Sequence, residues 1–255
     1  MEYVLEAIAS INKKYGILGM IMSLVLMNSV QALNYTCESP DKQLKALITI
    51  DEGGIQYSLV LNGSTVLKEK QMRLQVDGID LTSGITVGRG EYAEGNTRYT
   101  RLGLKEGWNH YRQLRLPITH IESERAYILS FRIYNEGIAT RYALPGKGEH
   151  QWQSEQLAFS LDPRTQLWYQ ESGDLPTYKK LPRIAEGTAL TSKLPILMQL
   201  PQGLYVAVLS EEKPPFPTLN FNDKGAGVLE LSSEAFPKPY QGRLETPWRI
   251  FVVGK

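Results

Sequence analysis

Glu171, Asp174, Glu211 and Glu212 stand beside aromatic residues in turn-rich stretches of this 255-residue chain. Paired carboxylates, one donating a proton and the other acting as base or nucleophile, are what glycoside hydrolysis requires. Spacing alone selects no pair among them, and carboxylates at loop ends are ordinarily solvated. The three histidines, His110, His120 and His150, are too dispersed to mark a metal site and read as polar surface or strand-edge residues. No GxSxG elbow occurs, and the single cysteine, Cys37, lies close to the N-terminal segment, so Ser or Cys nucleophilic catalysis has no support. Pro145-Gly146-Lys147-Gly148 lacks the strand–GxxxxGK[ST]–helix context of a phosphate cradle and reads as a turn. Arg112, Arg115, Lys179 and Lys180 read as solvated charges.

The elements that must position these groups are strands. Leu44, Ala46, Ile48 and Ile50 alternate with Lys45, Leu47, Thr49 and Asp51. Ile55, Tyr57, Leu59 and Leu61 repeat the pattern, and Asn62-Gly63 follows as a strong hairpin signal. Tyr127, Leu129, Phe131 and Ile133 form a third inward set with Arg132 and Tyr134 on the other face; Asn135-Glu136-Gly137 turns the chain, and Ile138, Thr140, Tyr142 and Leu144 lead back. Further strands are expected at Leu194–Leu200, Leu204–Leu209, Val228–Leu231 and Trp248–Val253. Many short strands separated by turn residues predict an all-β, antiparallel sandwich in one domain.

Lys+Arg 28 against Asp+Glu 27 leaves a formal charge of +1, which argues against an electrostatic nucleic-acid binder. One cysteine excludes an internal disulfide framework. At the N-terminus Lys13 and Lys14 precede the apolar run 16–27, which has the length of a signal-peptide core and falls well short of the roughly 20 residues that span a bilayer. Val30 and Ala32 supply the small residues of a cut after Ala32. The expectation is a signal peptide over 1–32 and a mature domain over 33–255, periplasmic or secreted, with no membrane anchor after cleavage.

Several segments, taken in order, resemble the N-terminal domain of glycoside hydrolase family 97. Ser39-Pro40-Asp41-Lys42-Gln43-Leu44-Lys45 is similar to its SPDGKL-type first strand, and Asn109-His110-Tyr111-Arg112-Gln113-Leu114 to its hYNEL-like strand. Phe131-Arg132-Ile133-Tyr134-Asn135-Glu136-Gly137-Ile138-Ala139-Thr140-Arg141-Tyr142 is similar to its FRaYddGvAfRY segment, the most specific of the matches. Trp168-Tyr169, Gly203–Val208 and the closing Pro247-Trp248-Arg249 fall in family order.

The resemblance implies a β-supersandwich of the galactose-mutarotase type, packed in the family against a (β/α)8 barrel that carries the catalytic carboxylates. The chain ends at Lys255, directly after the PWR strand, where the family goes on into that barrel. Such a barrel needs about 250 residues, so no catalytic residue is expected in this chain and no hydrolysis by it alone. The family also uses calcium, reached by a glutamate of a YExxY-like loop. Aligning on Tyr178 puts Leu175 at that position, which cannot ligate Ca²⁺; a short gap instead makes Glu171 the metal ligand. Glu211 falls where the family has a glutamate facing the domain interface. The resemblance implies an α-glucosidase- or α-galactosidase-type module with a separately encoded barrel as partner. The alternative is a free-standing carbohydrate-binding module, with an oligosaccharide stacked on Trp168, Tyr169, Tyr178 or Trp152 and Glu211 beside it. A domain shaped to cover a barrel should also expose an apolar, aromatic face, for which the stretches Trp168–Tyr178 and Glu211–Phe216 are the candidates.

Overall fold

The computed structural model describes residues 32–99, 107–170, 178–181, 191–211, 216, 219–223, 228–233 and 238–254. Residues 1–31 of the expected signal peptide 1–32, with Glu171, Asp174, Leu175 and Glu212, lie outside the described residues.

Strands begin and end where the chain supplies turn chemistry. Asn62 and Gly63, at φ 49° and 83°, close the hairpin between Gly54–Leu61 and Ser64–Val76. Asp77 and Gly78, at φ 52° and 79°, do the same where Val76 meets Ile79. Both pairs have the positive φ values that a tight hairpin needs at its two central positions, which Asn, Asp and Gly tolerate.

Two antiparallel sheets result. Sheet A runs in the order Leu33–Glu38, Leu44–Asp51, Gly54–Leu61, Ser64–Val76, Glu149–Ser160, Val228–Ser232, Asn220–Asp223, Thr191–Lys193. Sheet B runs Tyr178–Leu181, Gln166–Gln170, Ile196–Gln199, Tyr205–Ser210, Arg249–Gly254, Gly137–Leu144, Ala126–Tyr134, Gly107–His120, Ile85–Val87. Strand Glu91–Tyr99 pairs with Gly107–His120 off that path. The four inward sets expected from period 2 are observed, and the expected later strands appear within one or two residues of their bounds.

The core lies between the sheets. Tyr57 of sheet A meets Phe131 of sheet B edge-on at 5.7 Å, and Phe159 meets Phe251 at 5.1 Å. One charged pair crosses this apolar layer: Arg249 donates from Nη2 to Glu155 Oε2 at 2.6 Å and from Nε to the same oxygen at 3.1 Å. Both side chains are 1% exposed, and Arg249 Nη1 also donates to Ser210 Oγ. Buried charges survive only when paired and hydrogen-bonded; here the pair rivets one sheet to the other.

Several sequence expectations change in the fold. His120 is buried, with Nδ1 accepting from the Ser123 backbone N–H at 3.2 Å and lying 2.8 Å from its hydroxyl, so it is no surface histidine. Trp152 is 1% exposed and packs edge-on against Phe216, so it offers no ring to a sugar. Phe216 is itself buried between Trp152 and Tyr240, which removes it from any exposed face.

Candidate functional site

In a strand successive side chains point to opposite faces, so burying one parity of sheet B against sheet A turns the other outward. Cross-strand register aligns these outward residues into rows. One row passes through Trp168, Leu197, Ala207, Val252, Gly137 and Tyr134. The next passes through Leu209, Ile250, Ala139, Arg132 and Gln113. Apart from Arg132 and Gln113 at one end, and the phenol and indole tips, nothing in these rows is polar. Trp168 lies 6.2 Å from the Tyr205 ring, and Val252 is 38% exposed. Gly137 is obligatory in its row, because a Cβ there would stand 2.2 Å from the Phe251 carbonyl oxygen.

A cationic–aromatic stack closes one end of this face. The Arg132 guanidinium lies 4.4 Å from the centroid of the Trp248 ring and 4.4 Å from that of Tyr111, and Arg141 lies 4.5 Å from Trp248. Trp248 is thus held by two guanidiniums over its ring, each an attraction to the ring quadrupole. Gln113 Oε1 accepts from Arg132 Nε at 2.7 Å, and Tyr111 packs against Tyr134 at 5.4 Å. Glu245 takes Arg141 at 3.4 Å and Arg243 at 2.5 Å. Burial works against the Arg141 charge and Glu245 works for it, while its Nε–H is buried without an acceptor.

Glu211 sets the position of Trp248. Its Oε2 accepts from the Trp248 backbone N–H at 3.1 Å, and its own N–H donates to the Trp248 carbonyl at 2.9 Å. The residue is exposed at the rim of the outward face, and its carboxylate organises the stack. Of the other expected binding residues, Trp168 lies on the outward face, whereas Tyr169 packs on the core. Tyr178 pairs through its backbone with Gln170 at the sheet edge. The structure therefore brings Trp168 and Glu211 to one face and does not join Tyr169 to them. Arg132, Arg141 and Trp248, which no composition or spacing argument selected, lie inside the two stretches that carried the family resemblance; their shared outward parity was the available signal.

Glu171 and Leu175, the two positions considered for calcium, lie outside the described residues. Among the described residues no group of three or more His, Cys, Asp or Glu converges to hold a metal ion, and Ca²⁺ asks for six to eight oxygen ligands. Nor does the outward face bring a nucleophile to a base. What it offers chemically is a broad apolar, aromatic surface with a fixed cationic end.

Comparisons with known proteins agree with this architecture. Residues 37–255 match the family described as Glycosyl-hydrolase 97 N-terminal. The retaining alpha-galactosidase of Bacteroides thetaiotaomicron is 25% identical over 230 residues, covering 80% of this chain and 33% of that protein. The probable retaining alpha-galactosidase of Streptomyces bingchenggensis is 24% identical, covering 94% of this chain and 39% of its own length. The chain therefore spans about a third of the length of the curated relatives it matches. A Glycoside Hydrolase Family 97 enzyme from Pseudoalteromonas sp. strain K8, solved with acarbose, superposes with a TM-score of 0.74 at 15% identity over 86% of this chain and 35% of that one, which speaks to the fold.

Proposed function

The chain belongs to the glycosyl-hydrolase 97 N-terminal family, and from that premise we propose that it serves a catalytic (β/α)8 barrel as a docking module, with no chemistry of its own. The observation that carries this reading is the outward face of sheet B. Trp168, Leu197, Leu209 and Ile250 lie there in continuous cross-strand rows, each partly exposed. Contiguous apolar patches beyond a few hundred Å² mark interaction surfaces, and faces between domains of one chain bury about 600–1,500 Å². The Arg132–Trp248–Arg141 stack supplies orientation at one end, where guanidiniums favour carboxylates with fixed geometry.

In this reading the substrate is a glycoside of the α-galactoside or α-glucoside kind, chosen by the barrel, and any calcium belongs to the assembled enzyme. Export to a periplasm-like compartment rests on the charged and apolar pattern of residues 13–32 alone.

A chimaera tests the proposal. This chain replaces the matching third of the Bacteroides thetaiotaomicron relative, and turnover of p-nitrophenyl α-galactoside is measured. Retained turnover, lost on Ile250→Glu, is the expected result. A soluble chimaera whose turnover ignores Ile250→Glu would refute the docking role of this face.

A further inference from the structure

The free edge of sheet A meets a projecting hairpin of sheet B at a second, separate place. The strand Leu33–Glu38 pairs on one side only, and the hairpin of Glu91–Tyr99 with Gly107–His120 reaches past it. A cleft of about 560 Å³ opens between them, walled by Thr36, Glu38, Tyr92, Glu94 and Arg112, with the buried Cys37 thiol behind. Burial pushes that thiol up to about 12, so it is a neutral wall atom and no nucleophile.

Tyr92 is the unusual member. Its side chain is 61% exposed, the most exposed of the large apolar and aromatic residues in the described structure. The ring lines the cleft together with Thr36 and Glu38 of the edge strand. An exposed aromatic ring at the wall of a cleft is a flat platform with few rotatable bonds to order.

The charges around it are balanced. Glu94 Oε1 accepts from Arg112 Nε at 2.7 Å, and Lys45 pairs with Glu38 at 2.7 Å. A site with each carboxylate already matched to a cation does not select an ion. It still presents carboxylate lone pairs and the further N–H donors of a guanidinium, which suit a neutral ligand rich in hydroxyl groups. A flat ring beside such donors and acceptors fits a pyranose, whose C–H face is apolar and whose edge is polar. The volume lies within the range of small-ligand clefts, about 300–1,000 Å³.

We propose that this cleft is a saccharide-binding site holding one or two sugar units, with the Tyr92 ring as platform and Glu94, Arg112 and Glu38 as hydrogen-bonding partners. The choice of a sugar over another polyol leans on membership of a glycoside hydrolase family; the cleft itself stands on geometry. Register separates it from the docking face. Tyr92 pairs with Leu114, and Glu94 with Arg112, on the side of sheet B that Leu114 turns toward the core. Gln113 and Arg132, which belong to the docking face, lie on the opposite side. A sugar in the cleft and a barrel on the outer face therefore do not compete.

The test is a ¹H–¹⁵N shift titration of the full chain with galactose, melibiose and maltotriose. Saturable millimolar shifts at the amides of Ala93, Glu94 and Arg112 are expected with at least one of the three. Tyr92→Ala weakens the response by about tenfold, the scale of one lost aromatic contact. Tyr92→Phe keeps the platform and loses only the phenol hydroxyl, weakening it by about threefold. Because Tyr92 is mostly exposed, both variants keep the spectrum of the folded chain. Ile250→Glu leaves the titration unchanged, so failure of the docking reading and failure of this one are told apart. Absence of shifts at these amides with all three sugars, or an undiminished response in Tyr92→Ala, would overturn the proposal.

Discussion

The two sheets bury the same kind of residue between them and present opposite surfaces to the outside. Outward from sheet A stand Lys45, Thr49, Gln56, Ser58, Gln71, Arg73, Gln75, Ser154, Gln156 and Glu230, with bonds such as Gln156 Nε2 to Glu230 Oε2 at 2.6 Å running along the surface. Outward from sheet B stand the apolar Trp168, Leu197, Ala207, Leu209, Ile250 and Val252, bordered by Gln166 and Gln199 on one side and by Arg132 and Gln113 on the other. Strand geometry is the same in both, so the difference is written in composition alone. A polar outer parity marks a sheet that ends at water; an apolar one marks a sheet built to be covered. The sandwich thus has a polar back and an apolar front, the front being the face proposed to dock a barrel.

That contrast presumes that the sheets form one rigid body, and the rivet between them is where breaking it has the largest effect. Glu155→Ala leaves the Arg249 guanidinium buried and unpaired, and is expected to cost about 3–5 kcal/mol. The double replacement Glu155→Leu with Arg249→Met restores most of that loss, as both charges leave together. Urea unfolding of the two variants and the wild type checks this, and a single-variant loss no larger than a surface substitution would mean that the sheets are joined by apolar packing alone.

The front itself is sharpened by Trp248→Ala, which removes the ring between two guanidiniums. About 1–2 kcal/mol of stability should go, the sum of two partly exposed cation–π contacts, and Arg132→Lys should recover less than the wild-type value because it stacks poorly. Thermal melts give the comparison.

A smaller, pH-dependent effect belongs to the end of the sandwich where Asp77 joins neighbouring strands. Burial pushes its carboxyl up, but the Gln151 backbone N–H, the Arg125 guanidinium and His150 outweigh that and hold it below its ordinary 3.8. A carboxylate depressed in the folded state adds stability above its unfolded pKa and loses it as pH falls through the folded value. Asp77→Asn, which tolerates the positive φ at this turn, is therefore expected to melt lower than wild type at pH 7 by about 1 kcal/mol. The gap should close on acidification below the ordinary carboxylate range. A gap independent of pH would show that Asp77 acts through turn geometry and carries no charge effect.

The smallest effect distinguishes the two surfaces without touching stability. Leu47 on the back is 42% exposed but isolated among polar neighbours. Leu47→Lys on the back and Leu209→Lys on the front should each change stability by no more than about 0.5 kcal/mol. Only the front substitution should lower binding of a hydrophobic dye and self-association in light scattering.

Much of this fold is legible in the chain itself. Alternation at Leu44–Ile50, Ile55–Leu61 and Tyr127–Ile133 gives inward and outward parity, and Asn62-Gly63 gives one turn and its register. Alternation fails in Gly137–Leu144, a central strand buried almost throughout, where the outward Ala139 and Ala143 are as hidden as the inward Ile138 and Tyr142. The outward face is half legible: Trp168 and Glu211 of the two aromatic stretches lie on it, whereas Phe216 of the same stretches lies in the core. What sequence could not supply is strand order. Trp168 reaches Val252 only through the neighbouring strands Ile196–Gln199 and Tyr205–Ser210, and Trp248 meets Arg132 and Arg141 only because Arg249–Gly254 pairs with Gly137–Leu144. Similarly, the Tyr92 cleft arises between an edge of one sheet and a hairpin of the other, a juxtaposition with no local signature. Arg112, expected to be a solvated charge, is there a paired wall residue.

Light scattering of the full chain mixed with the catalytic barrel of a family 97 enzyme, produced separately, tests the docking front most directly. The account predicts a one-to-one complex that Ile250→Glu abolishes and Thr49→Glu leaves intact. Absence of any complex, or equal sensitivity to a charge on either sheet, would contradict it.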